Sequence, residues 1–108
     1  MTTLPQTFAA LADDTRFAIV ERLLTDGAQT AGNLSDIAPI SAPAVSRHLK
    51  VLREAGVITQ TVDGQRRIYA VRPEAMQAIS GWVIDHREFW EGSMNRLEKA
   101  LKKLEPKS

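Results

Sequence analysis

The sequence predicts a mainly α-helical fold with one small β-hairpin. Three observations predict it. Apolar residues recur at helical spacing through the first half of the chain, punctuated by capping and breaking residues. Two runs rich in β-branched residues flank Asp63-Gly64. A segment from Pro73 to Leu104 repeats apolar residues every seven positions.

The elements follow in order. Leu4, Phe8 and Leu11 share one side of a short helix over 4–12. Asp13-Asp14-Thr15 caps the next helix, with acids where its first N–H groups are unpaired. Phe17, Ile19, Val20, Leu23 and Leu24 give that helix its apolar positions, and Asp26-Gly27 stops it. Residues 30–37 read as a second short helix with Leu34 and Ile37 inward, broken at Ala38-Pro39. Ser41 is then an N-cap, and Pro43 falls in the first turn, where a missing N–H costs nothing. Val45, Leu49 and Leu52 form the inward stripe of the capped helix, with Val51 beside them, and Gly56 ends it. Val57–Val62 and Ile68–Val71 are the hairpin strands, with Asp63-Gly64 expected in a type I′ turn. Arg72-Pro73-Glu74 opens the last helix, with a bend expected at Gly81 or Gly92, each costing about 1 kcal/mol relative to alanine.

That last helix carries Met76, Val83, Trp90, Leu97 and Leu104 at intervals of seven. Ile79, His86, Ser93 and Ala100 hold the complementary positions, and Trp82 and Phe89 widen the stripe. A domain of this size cannot cover so long a stripe, so a partner helix in a dimer is expected to do so.

The chain has 108 residues, which suits a single domain over 1–108, and its 44% hydrophobic share is enough for a core. The net charge of +1 is uninformative, but its distribution is not. Residues 1–40 set Arg16 and Arg22 against five acidic residues. Residues 41–72 set Arg47, Lys50, Arg53, Arg66, Arg67 and Arg72 against Glu54 and Asp63 alone. A local basic segment in a neutral chain is the footprint of a phosphate binder.

The order of elements is that of a winged helix-turn-helix. In that arrangement the capped helix enters the major groove, where base edges carry a readable donor and acceptor code. Its expected DNA-facing residues are Ser41, Ala42, Pro43, Ser46, Arg47, His48, Lys50 and Arg53. The small residues allow close approach. Arg47 forks onto guanine or phosphate, and Lys50 and Arg53 suit phosphates. Gln65, Arg66 and Arg67 at the hairpin tip reach the backbone or minor groove. The expected dimer residues of the last helix are Trp82, Val83, His86, Phe89, Trp90, Leu97 and Leu101.

Three stretches carry a family resemblance. They are residues 8–16 (Phe-Ala-Ala-Leu-Ala-Asp-Asp-Thr-Arg), the long ungapped run Ser41–Ile58, and residues 63–69 (Asp-Gly-Gln-Arg-Arg-Ile-Tyr). The chain resembles the ArsR/SmtB family of winged-helix repressors over nearly its whole length. The resemblance implies a homodimer that dimerises through its terminal helices, with Leu4, Phe8 and Leu11 of the first helix in the interface. It sits on double-stranded DNA at an imperfect palindrome and blocks transcription until a signal releases it. Many members hold metal through cysteines before the recognition helix. Residues 30–36 here offer no thiolate. A second family site uses Asp and His on the last helix; Asp85 and His86 stand there without a second histidine downstream. The expectation is therefore no metal site, no cofactor, and an effector whose identity the sequence does not give.

Other functions find less support. No glycine-rich phosphate loop, cysteine nucleophile or serine–histidine–carboxylate pattern points to an enzyme. No apolar run approaches the roughly 20 residues of a membrane helix, the N-terminus lacks a signal-peptide pattern, and the absence of cysteine fits the cytoplasm. The alternatives are a metal-responsive repressor of the same family, or a protein-interaction module using the last helix.

Overall fold

The computed structural model describes residues 2–104. It contains five α-helices and three strands among them: α1 (Leu4–Leu11), α2 (Asp14–Asp26), β1 (Gln29–Thr30), α3 (Ala42–Glu54), β2 (Ile58–Asp63), β3 (Arg66–Val71), α4 (Pro73–Asp85) and α5 (Arg87–Lys103). A single 3-10 turn covers Gly32–Leu34. The fold is mostly helical with a small antiparallel sheet, as the sequence predicts. The chain divides into two compact units, one up to Ala78 and one from Ile79, with the boundary inside α4.

The first three helices start where capping chemistry places them. Thr3 Oγ1 accepts from the Gln6 N–H at 3.3 Å, and Gln6 Oε1 accepts from the Thr3 N–H at 2.8 Å, a reciprocal capping box. Asp13 Oδ2 accepts from the Arg16 N–H at 3.0 Å. Ser41 Oγ accepts from the Ala44 N–H at 3.3 Å. α2 ends at Gly27, where φ is +79°, a conformation that costs glycine little.

The core of the first unit joins α2, the 3-10 turn, α3 and the sheet. Ile19, Leu34, Leu49, Leu52, Val57 and Ile58 are fully enclosed, with Ala10, Val20, Leu23, Val45 and Tyr69 around them. Of the apolar positions expected in α2, Phe17 and Leu24 instead lie on the exposed side. α1 turns Thr7 and Ala10 inward, leaving Phe8 exposed and Leu4 and Leu11 half-buried.

Three local expectations are corrected. Residues 30–37 do not form an α-helix. Gln29 and Thr30 pair with Tyr69 and Ile68 as a third strand, in the sheet order β1-β3-β2. Thr30 Oγ1 then accepts from the Asn33 N–H at 3.2 Å, and the Ser35 hydroxyl donates to the Gly32 carbonyl at 2.7 Å. These side chains supply the partners a longer helix would have provided.

The hairpin turn lies one residue later than expected. Asp63 pairs with Arg66, so the loop is Gly64-Gln65. Gly64 has φ +65° and no non-glycine residue among those described has positive φ, which is the pattern of a II′ rather than a I′ turn.

The last helical segment breaks at His86, not at Gly81 or Gly92. His86 leaves the helical region, with φ −107° and ψ 24°. Its ring Nδ1 lies 2.7 Å from the Trp82 carbonyl, and the Trp90 indole N–H donates to the Val83 carbonyl at 3.0 Å. Two carbonyls at the end of α4 thus find side-chain donors, which makes the end of the helix tolerable. In the second unit no residue of α5 is buried.

Candidate nucleic-acid interface

α3 is amphipathic by construction. Val45, Leu49 and Leu52 are buried, while Ser41, Ala42, Pro43, Ser46, Arg47, Lys50 and Arg53 are exposed. The first turn on that side carries only small side chains, which leaves the helix free to approach a flat or grooved partner closely. The end of α3 is tied to the hairpin root: the Val57 N–H donates to the Leu52 carbonyl at 3.0 Å, and the Arg72 N–H to the Val57 carbonyl at 2.9 Å.

Gln65, Arg66 and Arg67 are exposed at the hairpin tip. The cations differ in their engagements. Arg66 lies 3.4 Å from Asp63, and Lys50 lies 3.9 Å from Glu54. Both pairs are solvent-exposed, so they are weak and exchange readily for a phosphate. Arg47, Arg53 and Arg67 have no ion-pair partner among the described residues.

His48 differs from its neighbours on α3. It is half-buried, and its Nδ1 lies 3.3 Å from Arg16 Nη1 and 3.8 Å from Asp13 Oδ2. One edge of the ring therefore faces the junction of α1 and α2. The hydrogen bond from the Arg16 backbone N–H is the main reason the Asp13 carboxyl is held below the usual carboxylate range, with the Arg16 charge, and that of His48 in its protonated form, adding to it.

A second arginine steadies the approach to α3. Arg22 Nη1 donates to the Asn33 carbonyl at 3.0 Å and to Asp36 Oδ1 at 2.8 Å. The turn that leads into Ser41 is thereby held against α2. Sequence reasoning counted Arg16 and Arg22 as charges and missed their positioning work. Their partners lie 6 to 32 residues away, and no spacing pattern links them.

Most of the expected dimer residues are exposed. In the second unit Trp82, Val83, His86, Phe89, Trp90, Leu97 and Leu101 all are, with Phe89 at 77%. Met94 and Leu104 extend the same apolar population. Among the described residues, no three His, Cys, Asp or Glu side chains come together as metal ligands, and no helix is long and apolar enough to cross a membrane.

Comparison with known proteins places this arrangement. The helix-turn-helix domain family matches residues 11–61. A helix-turn-helix-type transcriptional regulator of Mycobacterium tuberculosis is 44% identical over 75% of this chain and 72% of its own. The arsenic resistance transcriptional regulator ArsR1 of Pseudomonas putida is 34% identical over 82% of this chain and 71% of its own. A crystal structure of an ArsR family transcriptional regulator superposes with a TM-score of 0.74 at 32% identity, covering 82% of this chain and 96% of that one. The chain belongs to the ArsR family of transcriptional regulators. The transcriptional repressor SdpR of Bacillus subtilis, 35% identical over 72% of this chain and 86% of its own, is similar as well. This chain contains no cysteine, so it has no thiolate to offer a soft metal ion.

Proposed function

We propose that this ArsR-family chain binds a specific duplex DNA site as a homodimer and represses transcription in the cytoplasm. α3 is the recognition helix and the β2–β3 hairpin the wing. The observation that carries the reading is Arg47, exposed and without an ion-pair partner among the described residues, on a helix anchored from behind by Val45, Leu49 and Leu52. Arg47 reads a guanine edge or clamps a phosphate. Ser46 bonds a base or phosphate, and Lys50, Arg53, Arg66 and Arg67 neutralise backbone charge. Ser41, Ala42 and Pro43 let the helix start sit close, while His48 and Gln65 flank the charged contacts. Repression is supported by the names of relatives, one of them a Bacillus subtilis repressor.

A second copy of the chain covers the apolar side chains of α5, and Leu4, Phe8 and Leu11 contribute from α1. Two recognition helices then meet successive major grooves about 34 Å apart, which calls for an imperfect palindrome. The releasing signal is not a metal ion; the absence of cysteine and of a converging ligand set among the described residues supports this. Release follows from linkage: a ligand favouring a dimer state with the wrong helix spacing lowers DNA affinity, and DNA lowers affinity for that ligand equally.

The test is selection from random duplex DNA, with and without a chelator. The expected result is a palindrome with half-sites about ten base pairs apart, indifferent to chelator. Binding that is salt-sensitive but blind to sequence, or no binding, overturns the reading and points to a protein partner for α5.

A further inference from the structure

The Arg16 guanidinium reaches two helices besides its own. Its Nε donates to the Ala10 carbonyl at 2.6 Å and Nη2 to the Ala9 carbonyl at 3.5 Å, both at the end of α1. Its Nη1 lies 3.3 Å from His48 Nδ1 on α3. Arg16 itself stands in the first turn of α2, where Asp13 accepts its backbone N–H.

An arginine side chain stays protonated and only donates. His48 Nδ1 therefore accepts, and the proton of the neutral ring sits on Nε2. Asp13 Oδ2, 3.8 Å from the same Nδ1, is the competitor: without Arg16 it draws the proton to Nδ1 instead. His48 Nε2 has no hydrogen-bond partner among the described residues, and no buried side-chain nitrogen or oxygen is left unpartnered there. The Nε2–H is therefore open to solvent, on the helix whose exposed side carries Arg47 and Lys50.

His86 is the opposite case. Its Nδ1 faces the Trp82 carbonyl at 2.7 Å, and a carbonyl only accepts, so Nδ1 carries the proton. These are the two histidines of the sequence, and they hold opposite tautomers.

We infer that Arg16 is a positioning residue for DNA binding: it holds His48 as the Nε2–H tautomer, so that the recognition helix presents a neutral hydrogen-bond donor to DNA beside Arg47. This rests on the reading of α3 as the recognition helix. The donor adds a directed bond without adding charge, so it contributes to fit and not to the salt dependence of binding.

The experiment uses the full chain, labelled with nitrogen-15, and the duplex recovered by selection. Imidazole nitrogen–proton correlation spectra at alkaline pH are expected to show His48 as Nε2–H and His86 as Nδ1–H. In Arg16→Met, His48 moves toward Nδ1–H, paired with Asp13, while His86 does not change. His48→Asn keeps an acceptor near the Nδ1 position but lacks the Nε2–H; His48→Gln restores an N–H near the Nε2 position. Arg16→Met and His48→Asn each weaken binding between about twofold and tenfold. Their combination is no weaker than the worse single variant, and His48→Gln binds better than His48→Asn.

Wild-type His48 found as Nδ1–H overturns the inference without any variant, so it stays testable if Arg16→Met does not fold. Losses that multiply in the double variant overturn it, and so does His48→Gln binding no better than His48→Asn. A wild-type chain that shows both tautomers but binds no selected duplex ends the DNA-binding reading, and Arg16's part in it. A wild-type chain that binds with the wrong tautomer ends only this inference.

Discussion

Arg22 and Asp36 meet at 2.8 Å, and through that contact the loop before α3 is fastened to α2. The same guanidinium nitrogen takes the Asn33 carbonyl, so one side chain fixes two points of a loop that has no regular structure beyond a single 3-10 turn. The Arg22 hydrogen bond, and then its charge, hold the Asp36 carboxyl below the usual carboxylate range. A carboxyl lowered on folding stabilises the fold above its unfolded-state value, near pH 4, and loses that contribution as pH falls through the lower folded value. Asp36→Asn is therefore expected to be less stable than the wild type at neutral pH. The gap, read from urea midpoints, should close on acidification below about pH 4. A gap that is constant with pH means the ion pair does not hold the loop. Asp36 is solvent-exposed, so the effect is small.

Adjacent residues of α3 separate folding from interaction. Leu52 is wholly enclosed, whereas Val51 is 40% exposed. Leu52→Ala is expected to cost about 2–5 kcal/mol of unfolding free energy, from lost burial and the cavity left behind. Val51→Ala should cost less than about 1 kcal/mol. Equal losses at the two positions would mean that the burial pattern of α3, and with it the assignment of its outward side, is wrong.

The burial pattern of α3 was written in the sequence because Ser41, Pro43 and the Val45, Leu49, Leu52 spacing are local signals that agree with one another. The same holds for the Asp13 and Gly27 boundaries of α2. What the sequence did not disclose depends on distant partners. β1 is two residues long and exists because Tyr69 and Ile68 offer it a ladder; nothing in Gln29-Thr30 alone favours a strand. The His86 break arises from a ring nitrogen and an indole N–H that take the Trp82 and Val83 carbonyls. A heptad count sees those residues only as positions in a stripe, and helix propensity placed the weakness at glycines that lie inside helices. For the candidate interface, the exposed cations were legible from spacing. The Arg16–His48 contact bridges 32 residues and was not.

Arg47 and Arg67 are expected to fail differently. Arg47→Ala should weaken binding to the selected site by about 1–3 kcal/mol and relax base preference at one position of each half-site. Its melting temperature should not change, because the side chain is exposed and makes no ion pair among the described residues. Arg67→Ala should weaken specific and non-specific duplexes alike and lower the slope of log affinity against log salt by about one per wing. Titrations at several salt concentrations separate the two. An Arg47→Ala chain with unaltered affinity and preference removes Arg47 from the readout.

Trp90 has two jobs that a pair of substitutions can split. Its indole N–H caps Val83, and its ring is part of the exposed apolar row of α5. Trp90→Phe keeps most of the apolar ring and loses the cap. Trp90→Ala loses both. If the proposed dimer buries that row, Trp90→Ala should raise the dimer dissociation constant at least about tenfold, as a truncated aromatic anchor does. Trp90→Phe should raise it by far less. Sedimentation at micromolar concentration reads both. Equal weakening by the two variants would assign the effect to the cap and the helix break, because phenylalanine preserves the buried ring. No weakening by either would take Trp90 out of the interface and leave the remaining α5 side chains, Phe89, Leu97 and Leu101, to be tested in its place.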